Sequence, residues 1–485
     1  MKIFLYMAGA ADFESFKGEL ILGNQFIGST EAEQKEMLAA LGVSSLEELM
    51  QSVVPKEHQH PGQLLELGPA KSEQEVETII RSLVSRNTNF DPSASFLGGG
   101  HYQRLIPQSV SEIVLRGEWM TPYTPYQPEV SQGILRTLFD FQSLMAELTG
   151  MAVINAGVYH GVNAGVEAAF MACRITGKNK VLVSEATNPV LIKNLATYFT
   201  PKDIELVLVP TKGGVTTAES IDALADDKTA AVIVQNPNFW GLLDGMDGQA
   251  EAAHHKKALY VIFGGGDQVS LAMLKKPSEY GADIYAGEGQ HFGNPIGYGG
   301  PHVGVLGIAN RDVVRQLPGR LVLQAKDIAG REGYRLGLQT REQHIRRERA
   351  TSNTCTAETL MAVMDTAYLA VMGPSGLKGA AQLSYDNAHY TAREVSRIPG
   401  FSLLHPNKEF FNEIAVKTPV AAAQITDELA EQGLLAGIPV ARSFPYNPAI
   451  LRMDNVLLIA ATEVNTNLRS LNKLVGGLRR YEAAN

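Results

Sequence analysis

Between residues 150 and 310 short, continuously apolar runs alternate with segments of helical period. The runs are "KVLVSEAT" (180–187), "IELVLVPT" (204–211), "AAVIVQNPNF" (230–239), "ALYVIFGGGD" (258–267), "DIYAGEG" (283–289) and "VGVLGIA" (303–309). A strand apolar at successive positions is covered on both faces, whereas one with a wet face alternates. Helical stretches such as "NPVLIKNLATYF" and "GQAEAAHHKKA" separate several of the runs. The pattern predicts an α/β domain built on a mainly parallel, doubly wound sheet. Such sheets bind ligands beyond the carboxyl ends of their strands, so the polar residues after each run become candidates.

The flanks follow other rhythms. Residues 30–85 read as three helices: "STEAEQKEMLAALG", with Ser29 or Thr30 as cap and Gly42 as stop, then "SSLEELMQSVV" and "KSEQEVETIIRSLVSRN". Beyond residue 330 a charged helix is expected over "TREQHIRRERATSN", then a long helical run over 356–397. "FSLLHPNKEFFNEIAVKTP" and "NVLLIAATE" read as strands of a smaller α+β domain. The expected division is an N-terminal arm and helical region (1–85), a large α/β domain (86–335) and a C-terminal α+β domain (336–485).

Composition narrows the function. A formal charge of -9 argues against a nucleic-acid partner. Two cysteines exclude a disulfide framework and suit a reducing compartment. No apolar run approaches the ~20 residues that span a bilayer, and acidic residues soon interrupt the N-terminal "MKIFLYMAGAADFE". A cytoplasmic protein without a membrane partner is expected.

Four segments carry candidate chemistry. In "NAGVYHGVNAGVEAAFMA" (155–172) a small-residue loop runs into a helix whose free N–H groups could hold a phosphate, or merely make a tight turn. Asp267, after "YVIFGGG", could pair with a protonated ring nitrogen or cap the next helix. The strand end "YAGEGQHFG" presents Gln290 and His291 where a Schiff-base lysine would stand in a pyridoxal phosphate (PLP) enzyme; Lys275, Lys276 and Lys326 are all misplaced for it. The proline-rich "TPYTPYQPEVSQG" supplies Tyr123, Tyr126 and Glu129 for a pocket mouth or a partner. His160, His291 and Asp267 together would be a possible metal set, but their spacing has no ligand signature, and no metal is assigned. Arg341, Arg346, Arg347 and Arg349 form either a solvated face or a subunit interface.

Taken in order, "FLGGG", "YTPYQPEVSQG", "ELTGM", "YGADIYAGEGQ", "GYGGPHVG", "QLPGRLV" and "LQTREQHIRRERATSNTCT" resemble the glycine decarboxylase P-protein, and within it the non-catalytic α subunit of the two-chain form. The resemblance implies an aspartate-aminotransferase-like, fold-type-I PLP domain in a chain with no catalytic residue. It implies an α2β2 assembly whose β subunit binds PLP through its lysine, with aminomethyl passed to the lipoyl group of a carrier protein. Gln290 or His291 would then stand at the position of the partner's lysine. Tyr123, Tyr126, Glu129, Tyr159, His160, Asp267, Gln290 and His291 would line a degenerate pocket or its mouth, and Arg341, Arg346 and Arg347 an interface. This chain departs from the family pattern. Gly157 and His160 replace a serine and an acid, His291 a serine and Gln324 a glutamate, and an N-terminal arm of about 25 residues has no counterpart. The departures fit drift in an empty pocket or a paralogue reshaped for another amino acid or carrier-bound substrate. A non-enzymatic scaffold holding a small anion or carrier protein is the competing class.

Overall fold

The computed structural model describes residues 28–59, 71–352, 354–465 and 468–483. The expected N-terminal arm falls outside these residues. The chain divides into two compact units, Met1–Asn89 and Phe90–Asn485. The first holds helices α1 (Glu31–Ala40), α2 (Leu46–Val53) and α3 (Glu73–Val84). Capping boxes start α1 and α3: Thr30 and Glu33, then Ser72 and Glu75, satisfy each other's backbone N–H groups.

In the second unit α4 (Gln132–Thr149) precedes a short β1 (Val153–Ile154). Then come α5 (Gly161–Thr176), β2 (Lys180–Ser184), α6 (Pro189–Phe199), β3 (Glu205–Val209), β4 (Thr229–Gln235), β5 (Leu259–Gly264), β6 (Ile284–Glu288) and β7 (Gly304–Ile308). The seven strands lie in the order β1-β7-β6-β5-β4-β2-β3. Neighbours from β3 to β6 pair in parallel, with Leu182 between Val207 and Val232. β7 runs antiparallel to β6 and β1, because the 289–303 connection is a turn without the crossover helix that parallel pairing needs. Each apolar run of the sequence contains one strand, and β2, β4, β6 and β7 are buried at every position.

A hairpin of β8 (Leu321–Lys326) and β9 (Glu332–Gly337) leads to the charged segment. The charged helix expected there is reduced to a single turn. Gln343–Arg346 makes one turn, and Arg347, at φ 54°, ends it. The segment is exposed and lacks an apolar stripe, and a short helix without packing is marginal. Helix α7 (Thr359–Val395) breaks at Gly373, where Pro374 cannot donate to the preceding turn. It is apolar and long enough to cross a membrane, but its two halves serve two cores. Met361, Ala362 and Tyr368 pack with Leu135, Leu138 and Phe141 of α4 under the large sheet. Ala388, Ala392 and Val395 pack with Ile414, Val416 and Leu457. Those last residues belong to an antiparallel sheet of β10 (Ser402–Leu403), β11 (Glu413–Lys417), β12 (Ile438–Pro439) and β13 (Val456–Ala460), ordered β10-β11-β13-β12. Helices α8 (Ala422–Ala430) and α9 (Leu468–Leu478) complete this lobe.

Candidate functional site

The ends of β5 and β6, the start of α5 and the loop around residues 98–104 meet at the cleft where the fold places a ligand. Asp267 lies there, fully buried. Its side chain accepts the Val269 N–H at 3.1 Å, so the capping expectation holds. The same carboxylate pairs with the Arg104 guanidinium and accepts from Asn412 Nδ2 at 2.7 Å. Arg104 also pairs with Glu463, whose other oxygen accepts the Leu105 N–H at 2.9 Å. Arg104 therefore joins the large sheet to the C-terminal lobe. Burial works against the guanidinium's charge, but the two carboxylates outweigh it and raise its pKa. Burial likewise pushes the Asp267 carboxyl up, and Arg104 opposes that.

His291 is also wholly buried. Its Nδ1 accepts the Gln268 N–H at 3.2 Å, which leaves the ring proton on Nε2 to be donated to the Gly100 carbonyl at 3.0 Å. Burial, then Arg104, hold its pKa well below the usual imidazole value, so the ring is neutral. Gln290 beside it accepts the Tyr102 N–H at 3.0 Å and donates to the carbonyls of Tyr102 and Asn294 at 3.1 and 2.9 Å. Both strand-end residues thus act as internal staples for the 100–104 loop.

The start of α5 is equally occupied. Glu288 Oε2 accepts the Gly161 N–H at 2.9 Å, and Oε1 accepts the Gln290 N–H at 3.1 Å. A Cβ on Gly161 would lie 2.8–2.9 Å from Glu288 atoms, so only glycine lets helix and strand approach this closely. Burial pushes the Glu288 carboxyl up to about 7. His160 caps α5 through Nδ1, which accepts the Asn163 N–H at 3.2 Å. Gly157, at φ 94°, has Val303 where a side chain would go, 2.9 Å from an added Cβ.

The sequence-derived residues therefore separate into two sets. Asp267, Gln290 and His291 converge in the buried cleft, with His160 at its edge. Tyr123, 74% exposed, and Glu129 stand on the surface. Tyr126 accepts from Arg320 Nη2 at 2.8 Å and stacks under that guanidinium. Tyr159 accepts the Cys355 N–H at 3.0 Å. Arg341 is tied to its own chain, donating to the carbonyls of Leu338 and Gly319 at 3.1 and 2.9 Å, whereas Arg346 and Arg347 are exposed. Gln324 is also exposed. The metal set weighed from sequence does not form. Asp267 is spent on Arg104, both nitrogens of His291 are spent on backbone, and the deprotonated nitrogen of His160 is spent on its cap. Arg104, Glu288, Asn412 and Glu463 were not assigned roles by sequence reasoning; "FLGGGHYQR" and "YAGEGQ" contain the first two, but nothing local marks an arginine and a glutamate 359 residues apart as partners.

These residues do not fit PLP. No lysine stands at the end of β6, the ring-nitrogen partner Asp267 is held by Arg104, and the first N–H of α5, suited to a phosphate, is held by Glu288. Arginine and glutamate supply from within the chain the positive and negative charges that a cofactor's ring nitrogen and phosphate would bring.

Comparison with known proteins gives the family. Residues 24–442 match the glycine cleavage system P-protein family. A protein of Moorella thermoacetica named probable glycine dehydrogenase (decarboxylating) subunit 1 is 42% identical over 94% of this chain and 99% of its own length. One of the same name from Chlorobium phaeobacteroides is 42% identical over 91% and 96%. The chain superposes on the crystal structure of an inhibitor-bound glycine decarboxylase P-protein with a TM-score of 0.85 and 39% identity, covering 94% of this chain and 99% of that one. A sphingosine-1-phosphate lyase of Burkholderia pseudomallei, at TM-score 0.60 and 13% identity, shares the fold alone. The fold is thus that of the fold-type-I PLP enzymes, and the chain belongs to the glycine cleavage system P-protein family.

Proposed function

We propose that this chain is the α subunit of a two-chain, PLP-dependent glycine dehydrogenase (decarboxylating), with the Schiff-base lysine and the cofactor in a β partner. The observation that carries this is the occupied cleft: Arg104 pairs with Asp267, Glu288 holds the first N–H of α5, and His291 bonds the Gln268 N–H and the Gly100 carbonyl at the strand end. The named relatives are subunit 1 proteins, a name that calls for a second subunit. In this reading the chain keeps the enzyme fold as a rigid body and does no chemistry in its own cleft. The exposed Tyr123, Glu129 and Arg347 meet the partner. The assembly is α2β2, passes aminomethyl to a lipoyl carrier protein, and works in the cytoplasm, where Cys173 and Cys355 stay as free thiols.

A second reading keeps the partner and changes the substrate to another amino acid, free or carrier-bound. It is favoured by the way the departing residues are built in: His160 caps a helix, His291 makes two hydrogen bonds, and Gly157 adopts a left-handed backbone. The test is carbon dioxide release from carboxyl-labelled glycine by this chain, its partner, PLP and a lipoylated carrier. Release that needs both chains supports the first reading. A functional complex that spares glycine but decarboxylates another amino acid moves the assignment to the second, and no association between the chains defeats both.

A further inference from the structure

At the mouth of the cleft Glu288 meets two histidines that the closed pocket does not use. His101 follows the Gly100 carbonyl that His291 grips, Glu288 ends β6, and His302 precedes β7. One ligand-capable atom from each lies within 4.8 Å of the others. His101 Nε2 is 3.8 Å from Glu288 Oε2, and the two imidazole centroids are 5.0 Å apart with their planes 33° from parallel. At 3.8 Å the His101–Glu288 contact is too long for a hydrogen bond. The three groups face one another without bonding one another.

We propose that His101, Glu288 and His302 form a binding site for a first-row divalent cation of the zinc class. Two imidazoles and a carboxylate are the donor set such ions take, in contrast to the all-oxygen shells of magnesium and calcium. Ligand atoms on a tetrahedral zinc lie roughly 3.3 Å apart, given bonds near 2.0–2.1 Å. A spread within 4.8 Å would close by rotation of His101, whose side chain is 46% exposed. The other two ligands are held from behind. His302 uses Nε2 on the Ile296 carbonyl at 3.2 Å, leaving Nδ1 for the ion. Both Glu288 oxygens are aimed by backbone N–H groups and keep a further lone pair each. Such backbone contacts orient metal ligands and fix the tautomer. Glu288 also covers the positive end of α5, which would otherwise repel a cation. Three protein ligands leave one coordination position open on the His101 side, which faces solvent.

The neighbouring His160 is not a ligand, because the nitrogen that is free of a proton accepts the Asn163 N–H. This separates the proposed set from the general crowding of histidines at the mouth. The test is titration of the chelator-treated full chain with Co2+ alone, read by the visible absorption of cobalt bound to nitrogen and oxygen, with Zn2+ competition to confirm the class. One equivalent should bind with that spectrum, excess Mg2+ should not displace it, and His101→Ala should weaken it at least tenfold. His101 is on the surface, so that variant keeps the fold; His302→Ala, checked for folding by circular dichroism, should behave alike. His160→Ala should bind as the parent does. Failure to bind one equivalent overturns the site, as does binding that survives His101→Ala. Loss in His160→Ala equal to that in His101→Ala overturns the ligand set.

Discussion

The cleft and the rim of this protein descend from one fold but follow opposite rules. In the cleft Asp267, His291, Glu288 and Arg104 are buried, and their principal charged or hydrogen-bonding groups are engaged within the chain. On the rim Tyr123, Glu129 and Arg347 stand in solvent. A working cofactor pocket leaves polar groups open for its ligand and loses stability by doing so. Here those groups are engaged within the chain, and the exposed side chains lie outside the cleft. The contrast teaches where side chains stand open to other molecules: at the rim and mouth, not at the strand ends.

Removing Arg104 should break the contrast most strongly. Arg104→Ala leaves Asp267 and Glu463 as buried carboxylates without a counter-charge, which costs about 3–5 kcal/mol. Chemical denaturation of the variant measures it, and a cost near zero would mean that the cleft is wet rather than closed. His291→Ala strands the Gln268 N–H and the Gly100 carbonyl, and a loss of about 2–4 kcal/mol is expected in the same experiment.

The third effect is on pH dependence. Burial pushes the Glu413 carboxyl up to about 7 while it accepts from the Gly99 N–H at 2.7 Å and the Tyr102 hydroxyl at 2.8 Å. A folded pKa above the unfolded one gives stability that is full below the unfolded value of 4.5 and is lost as pH rises through about 7. Glu413→Gln keeps an acceptor for Gly99 and removes the titration. Denaturation midpoints at pH 5 and pH 8 should therefore differ less in the variant than in the parent. Tyr123→Ala sharpens the other side of the comparison. With the ring already 74% exposed, stability should change by less than about 0.5 kcal/mol, while affinity for the β partner, read by titration calorimetry, should fall.

Much of the fold was legible because fully buried parallel strands leave an apolar signature. Each of the six runs between 180 and 309 contains a strand. Thr30 likewise announced its helix by chemistry within three residues. The charged segment failed that test, since charge alternation imitates a helix face where no packing supports one, and Arg347 ends the turn. In the site Asp267, Gln290 and His291 were legible as strand-end residues. Their roles were not, because those depend on Arg104, Asn412 and Glu463, which local sequence cannot connect. His101 and His302 were hidden for the same reason: they are brought together only when the 98–104 loop crosses the end of β6.

In the proposed function the groups of the cleft are engaged within the chain and PLP sits in the partner. The most direct test is PLP titration of the purified chain, alone and with its β partner, followed by borohydride reduction and peptide mapping. No lysine of this chain should be labelled specifically, and the label should fall on the partner. Stoichiometric labelling of one lysine in this chain would contradict it.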